Sequence, residues 1–299
     1  MYVIVMALCN KDQAPVRVTG TLESMNPYGY LPADLFPDIP FYGVLTCCYT
    51  LLGIVWVSVL AMHKGELIFL QYLISFVILL GMIESTILFS HYMSWNDKGM
   101  IDLSIAVTGV IFGVLKRALS RVVVLMVSMG YGVVRSNLGD DTKKIIYLGC
   151  SYFILSLIYS LTITMPSNAH LVDDIEFENM LALVVLMLAA VDTTFYMWII
   201  RSLNSIIAAL ETRKQVEKCT LYQNFRLVLF LSLSFSVIWA VYSSLLLSGG
   251  SYDANWESRW TMDALWESLY FVVFVSICFL WGPSKNDQRY AYSALDLSE

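Results

Sequence analysis

The chain has 299 residues, of which 58% are hydrophobic and 14% charged, with a formal net charge of −6 and a mean hydropathy of +0.67. That balance argues against a soluble globular domain, and the acidic charge against a nucleic-acid partner. It fits a chain that crosses a membrane many times.

Residues 1–35 begin with an apolar stretch, Met1 to Leu8, that is too short to span a bilayer and lacks the basic leader and cleavage site of a signal peptide. Cys9 is the one cysteine expected on the outer side, because Cys47, Cys48, Cys150 and Cys278 fall inside apolar runs and Cys219 on the inner side. No internal disulfide is therefore expected. We expect residues 1–35 to form a short lumenal segment, the remnant of a longer outer domain.

From residue 36 to 282, apolar runs of about 20 residues, enough to cross a hydrocarbon core of roughly 30 Å, predict spans over Phe41–Met62, Ile68–His91, Ile101–Val134, Ile145–Met165, Met180–Leu203, Phe225–Ser248 and Trp260–Trp281. The runs are unbroken rather than alternating, so helices are expected and a barrel is not. The fold class is thus an all-α membrane protein, a seven-transmembrane helix bundle, followed by a cytosolic tail over 283–299. Prolines 15, 27, 32, 37, 40, 166 and 283 all fall outside the spans or at their edges, so no span interior is broken by proline. Gly130 and Gly132 are the candidate breaks at the inner end of span three.

Span three carries Lys116, Arg117 and Arg121 in its middle. A base at bilayer depth costs roughly 2.5 kcal/mol or more unless it finds a partner or water, so three of them imply a polar interior. At about 100° per residue, Gly109, Gly113, Lys116 and Ser120 fall on one stripe with Arg117 and Arg121 on its flank, and Ile111, Phe112, Leu115, Leu119 and Val122 on the other side. Gly109 and Gly113 have the spacing that lets a neighbouring helix approach closely. Three acids lie within other spans: Glu84 in the second, Asp192 in the fifth and Glu267 in the seventh. Counted from the outer ends of the apolar runs, Glu84 and Glu267 sit about 10 Å deep, Asp192 about 20 Å and Lys116 slightly deeper. Side chains lean toward the helix N-terminus, so Lys116 and Arg117 are expected to reach back to Glu84 and Asp192. Charge pairs that fix packing and a filled polar cavity are equally good readings of this set.

Basic residues set the orientation. With the N-terminus outside, Lys64, Arg135, Lys143, Lys144, Arg201, Arg213, Lys214, Lys218, Arg226, Lys285 and Arg289 lie inside, against Lys11, Arg17, Lys98 and Arg259 outside. Acids lean outward, with Asp173, Asp174, Glu176 and Glu178 before span five and Asp253, Glu257 and Asp263 around the start of span seven. Span three has neither an outer cysteine nor an acid-arginine pair at its inner end, and span seven has neither an Asn-Pro hinge nor a lysine, which weakens a receptor reading. Histidines 63, 91 and 170 cannot share one depth, and no catalytic or nucleotide-binding motif is present. No enzyme, metal or cofactor is expected.

Five separated strings, in order, carry a resemblance: Tyr28-Gly29-Tyr30-Leu31 with Pro40-Phe41-Tyr42; Leu80-Gly81-Met82-Ile83-Glu84; Val114 through Arg121; Val127 through Gly132; and Trp281-Gly282-Pro283-Ser284 with Gln288 through Tyr292. They resemble the lung seven-transmembrane receptor-like family, the Golgi GOLD-domain seven-helix proteins, and within it the transmembrane protein 87 branch. The resemblance implies a Wntless-like, receptor-like helix arrangement, a Golgi location, a part in cargo trafficking between endosomes and Golgi, and a helical cavity occupied by phospholipid. It implies membrane lipids and membrane or lipid-modified cargo proteins as partners, and a polar core of Glu84, Lys116, Arg117 and Arg121 with Asp263 at the outer mouth. The chain departs from the family in lacking the GOLD domain before span one. The alternative expectation is a Golgi cation channel with Glu84, Lys116 and Asp192 along its path, which the bases in mid-membrane oppose.

Overall fold

A computed structural model describes residues 25–63, 68–132, 134, 139–165, 175–248 and 260–282. Cys9, the acidic residues Asp173, Asp174, Asp253 and Glu257, the bases Lys11, Arg17, Lys64, Arg135, Arg259, Lys285 and Arg289, and the tail after Gly282 lie outside the described residues.

Seven helices follow one another: α1 Asp38–Met62, α2 Phe69–Lys98, α3 Leu103–Ser128, α4 Asp141–Thr164, α5 Ile175–Thr212, α6 Val216–Ser248 and α7 Trp260–Leu280. Each packs on its chain neighbours, α7 closes the ring onto α1, and α3 also contacts α5. Six helices are long and apolar enough to cross a membrane. The exception is α3, which carries three bases at its centre although its 26 residues give about 39 Å of helix. The ends of α2, α4 and α6 and the starts of α3, α5 and α7 share the bundle's N-terminal face with the start of α1. The ends of α1, α3 and α5 and the starts of α2, α4 and α6 share the C-terminal face with the end of α7.

The helix ends differ from the apolar runs in instructive ways. Span three was expected to reach Val134, but α3 ends at Ser128, where Tyr131 N–H bonds the Met126 carbonyl at 3.1 Å and Gly130 N–H the Val127 carbonyl at 2.9 Å. This is a Schellman stop, and its left-handed position is taken by Gly130 at φ +82°. Conversely α2 runs on to Lys98, α5 begins at Ile175 and runs to Thr212, and α6 begins at Val216. Polar residues continue these helices past the apolar runs, because helical hydrogen bonds do not require hydrocarbon. Asp102 starts α3 by accepting the Ser104 N–H at 3.2 Å.

Packing is uneven. Trp56, Ile74, Val127, Leu203, Tyr222 and Ile277, with their neighbours, join α1, α2, α3, α5, α6 and α7 in one core toward the C-terminal face. A second cluster holds α3 to α4 and α5 through Leu125, Tyr152 and Phe195. A third holds α1 against α2 through Tyr42, Leu45 and Tyr49. After Phe225, by contrast, no described residue of α6 is buried.

Close approach of α1 to α2 depends on Gly81, where an added Cβ would lie 2.7 Å from Cζ of the buried Tyr49 ring. Gly81→Ala is expected to cost about 1–3 kcal/mol by overpacking, read as a lower thermal midpoint of the detergent-solubilised protein. An unchanged midpoint would show that the ring has room to yield.

Candidate functional site

The site is built on α3. Its stripe of Gly109, Gly113, Lys116 and Ser120 is buried between neighbouring helices. At Gly109 the absent side chain lets Ile87 and Leu88 of α2 approach, a Cβ there meeting Ile87 Cγ2 at 3.3 Å. At Gly113 the space a Cβ would fill is taken by the Glu84 carboxylate. Gly113 is therefore as much a seat for that acid as a contact between helices.

Into this seat reaches Lys116, whose side chain is 1% exposed. Its Nζ lies 2.5 Å from Glu84 Oε2 and 2.9 Å from Glu267 Oε2, and 4.5 Å from the Tyr270 ring centroid. Tyr270 and Ser120 are hydrogen-bonded through their hydroxyls, and Ser120 donates to the Lys116 carbonyl at 2.6 Å, which leaves Tyr270 as donor to Ser120. Arg117 completes the group at a distance, its Nη1 3.8 Å from Glu267 Oε1 with its side chain 34% exposed. Two acids and two bases thus form one neutral cluster tying α2, α3 and α7.

A separate pair lies deeper. Arg121 donates from Nε to Asp192 Oδ1 at 2.7 Å and from Nη2 to Oδ2 at 3.3 Å, a two-pronged bond between α3 and α5. Its guanidinium carbon sits 4.1 Å from the Tyr152 ring centroid.

The structure brings Lys116 to Glu84, but it gives Arg117 to Glu267 and Asp192 to Arg121, against the expectation that Asp192 would hold Lys116 or Arg117. The reason is helix length. Glu84 lies 14 residues from the true end of α2 at Lys98, about 21 Å, and Lys116 lies 13 residues from the start of α3, about 20 Å. Asp192 is 17 residues from Ile175 and Arg121 is 18 from Leu103, about 26 and 27 Å. Apolar runs ended too early to show this alignment. Asp263, one turn toward the N-terminal face from Glu267, is exposed and forms no ion pair among the described residues. Tyr49, Tyr270 and Tyr152 were not foreseen. Tyr270 follows Glu267 by three residues and so shares its helix face, a usable signal, whereas Tyr49 and Tyr152 reach the site only through tertiary packing.

Beside the charged cluster lies a cavity of about 540 Å³ between α3, α5, α6 and α7, within the range of small-molecule sites. Arg117, Arg121 and Glu267 contribute to its wall on the α3 and α7 side, with Asn204, Arg226 and Ser236 elsewhere. Lys116, Glu84 and Asp192 are not on that wall. This cavity therefore does not join Glu84, Lys116 and Asp192. The remaining wall is largely apolar, and its residues Tyr196, Phe230 and Trp266 are 48%, 64% and 44% exposed, so the cavity opens sideways toward lipid.

Membrane-length helices, a desolvated lysine held by two acids and a laterally open cavity define a polytopic seven-helix membrane protein. The chain belongs to the GOST family: the model "GOST, seven transmembrane domain" matches residues 37–288. It is similar to Transmembrane protein 87B of Mus musculus, 30% identical over 292 residues that make up 98% of this chain and 51% of that protein. Transmembrane protein 87A of Homo sapiens is 28% identical over 281 residues, 94% of this chain and 49% of that protein. Membrane protein PTM1 of Saccharomyces cerevisiae is 29% identical over 298 residues, 95% and 54%. The chain spans about half the length of these relatives.

Removing one partner of a buried charge pair typically costs 3–5 kcal/mol. A double-mutant cycle of Glu84→Gln with Lys116→Met is expected to show coupling above about 1 kcal/mol in unfolding free energy. The same cycle on Arg117→Gln and Asp192→Asn is expected to show none, and coupling there would contradict the separation of the two networks.

Proposed function

We propose that this chain is a Golgi multi-pass membrane protein that acts in membrane and protein trafficking, its helical cavity holding a phospholipid or the lipid of a modified cargo protein. The N-terminus is lumenal and the C-terminus cytosolic in this reading, supported by the excess of bases at the inner junctions. The Golgi location and the trafficking role rest on the family resemblance. No catalytic step, metal or cofactor is part of it.

The observation that carries the reading is the sideways opening of a mostly apolar cavity with two loosely held cations on its wall, Arg117 beside Glu267 and the exposed Arg226. Lys116 is enclosed by Glu84, Glu267 and Tyr270, and Arg121 is bonded at both prongs by Asp192. Only Arg117 among the three bases has both exposure and a long ion pair. A phosphate is thus attracted by Arg117, while its acyl chains leave through the gap toward hydrocarbon. The three bases of α3 balance Glu84, Glu267 and Asp192, so only Arg226 on the cavity wall adds positive charge against a cation path. Further opposition comes from geometry: Lys116 fills the space beside Glu84, and the core around Trp56, Tyr222 and Ile277 closes the bundle toward its C-terminal face.

Native mass spectrometry of the purified chain is expected to show retained phospholipid. Arg117→Gln should reduce retention about tenfold, the value of a lost charge-assisted bond of about 1.5 kcal/mol, and reconstituted protein should conduct poorly. No bound lipid together with robust cation currents lost on Glu84→Gln would give the function to a channel instead.

A further inference from the structure

We propose that the chain moves phospholipids passively between the two leaflets, the headgroup travelling along one face of α6 while the acyl chains stay in the bilayer. This rests on the cavity admitting lipid and adds to it an activity and a route.

The route begins at Arg226. The Phe225 and Tyr222 rings lie 4.9 and 5.8 Å from the Trp281 ring at the end of α7, so this turn of α6 stands at the bundle's C-terminal edge. Arg226 is exposed there and borders the cavity, with Asn204 of α5 also on the wall. Ser232 and Ser236 line the cavity further along α6. Trp239 and Ser243 continue the line: at about 100° per residue the four positions fall within an arc of about 60°. Arg226, about 80° off this arc, borders the same cavity at one end, and from Ser232 to Ser243 the line runs 11 residues, about 17 Å of a hydrocarbon core of roughly 30 Å.

This line is turned inward and half-covered along α6. Leu231, Leu233, Phe235, Val237, Ile238 and Val241 are exposed, whereas Ser232, Ser236, Trp239 and Ser243 are half-buried and none is fully buried. Ser232 and Ser236 donate to the Leu229 and Ser232 carbonyls at 2.9 and 2.8 Å, whereas Trp239 Nε1 and Ser243 Oγ are covered yet have no hydrogen-bond partner among the described residues. A polar line serving only close helix packing would be covered and satisfied. Two covered donors left unmet at the far end of a half-covered line suit a polar group that reaches them.

Midway along the same cavity stands Arg117, 3.8 Å from Glu267. A transit station must bind strongly enough to admit a group and weakly enough to release it. Arg117 meets this condition because its guanidinium can exchange Glu267 for a phosphate and return, which the shorter pairs of Lys116 and Arg121 resist. The movement needs no energy source, since the path only lowers the barrier to crossing and leaves the distribution at equilibrium unchanged.

The test uses the full chain reconstituted into phosphatidylcholine vesicles with a trace of NBD-labelled phosphatidylcholine, bleached from outside by dithionite. Bleaching beyond the outer-leaflet pool is expected, without bleaching of a soluble NBD dye trapped inside. Ser232→Leu/Ser236→Leu, which makes the line apolar, and Arg226→Leu should each slow it at least fivefold, with thermal midpoints confirming that the variants fold. If bleaching stops at the outer pool while phospholipid remains bound in native mass spectrometry, the translocation is refuted and the lipid cavity stands. If no lipid is bound either, both fail. Equal bleaching of the trapped dye would report a leak and also overturn the proposal, as would variants that translocate at the full rate or an inactive protein crosslinked through α6 to a second copy.

Discussion

The arrangement of this bundle depends on one ammonium group that has no water. Lys116 is almost wholly enclosed in the middle of α3, and a charge in that position is tolerated only with close counter-charges. Two carboxylates from helices distant in sequence meet that need, Glu84 from α2 and Glu267 from α7. The rest of the local sequence makes room for them. Gly113 leaves the volume that Glu84 occupies, and Gly81 admits the Tyr49 ring, which packs on Phe271 of α7 at a centroid distance of 4.8 Å. Such a cluster gives little net stability against an apolar alternative, but it penalises any rotation of α3 that would separate a single partner. Its effect is to set the phase of the helix.

With that phase fixed, α3 shows different faces to different neighbours. Its apolar residues beyond Ser120 enter the cores shared with α2, α4 and α5, while Arg117 and Arg121 are left beside the gap between α5 and α6. The cavity is thus a consequence of where packing stops. Tyr222 and Phe225 anchor α6 against Trp281 at one end, and after Phe225 no described residue of α6 is fully buried. One tightly packed face and one open side give a cleft in the side of the bundle.

Much of the fold was legible in the sequence because hydrocarbon thickness imposes a length that few other constraints imitate. The runs ending near Met62 and beginning near Trp260 agree with the helix ends to within a few residues. Charged side chains inside those runs were equally visible, since their cost is what makes them conspicuous. Their partners were not. Depth was counted from where hydropathy fell, at His91 and Met180, although the helices continue to Lys98 and back to Ile175. An error of five to seven residues is about 7 to 10 Å, enough to give Asp192 to the wrong base. The tyrosines around the cluster left little trace, because an aromatic residue in an apolar run reads as core whatever it touches. The cavity left none: a void is a property of how helices diverge, and no run of residues encodes it alone.

The charge balance of the interior bears on function more directly than its composition does. Three bases in mid-membrane suggest an electropositive interior, but pairing with Glu84, Glu267 and Asp192 cancels it in sum. What survives is unequal pairing. Short bonds hold Lys116 and Arg121 in structural roles, and the 3.8 Å separation between Arg117 and Glu267 leaves one guanidinium and one carboxylate facing the cavity together. Such a pair suits a zwitterionic or anionic headgroup better than a lone cation, because the phosphate finds Arg117 while an amine finds Glu267 in its place. A hydrated metal cation meets the same two groups with no comparable gain, since Arg117 opposes it as strongly as Glu267 attracts it. The three bases of α3 and the three acids are neutral in sum, and among these pairs the geometry leaves only Arg117 and Glu267 half open.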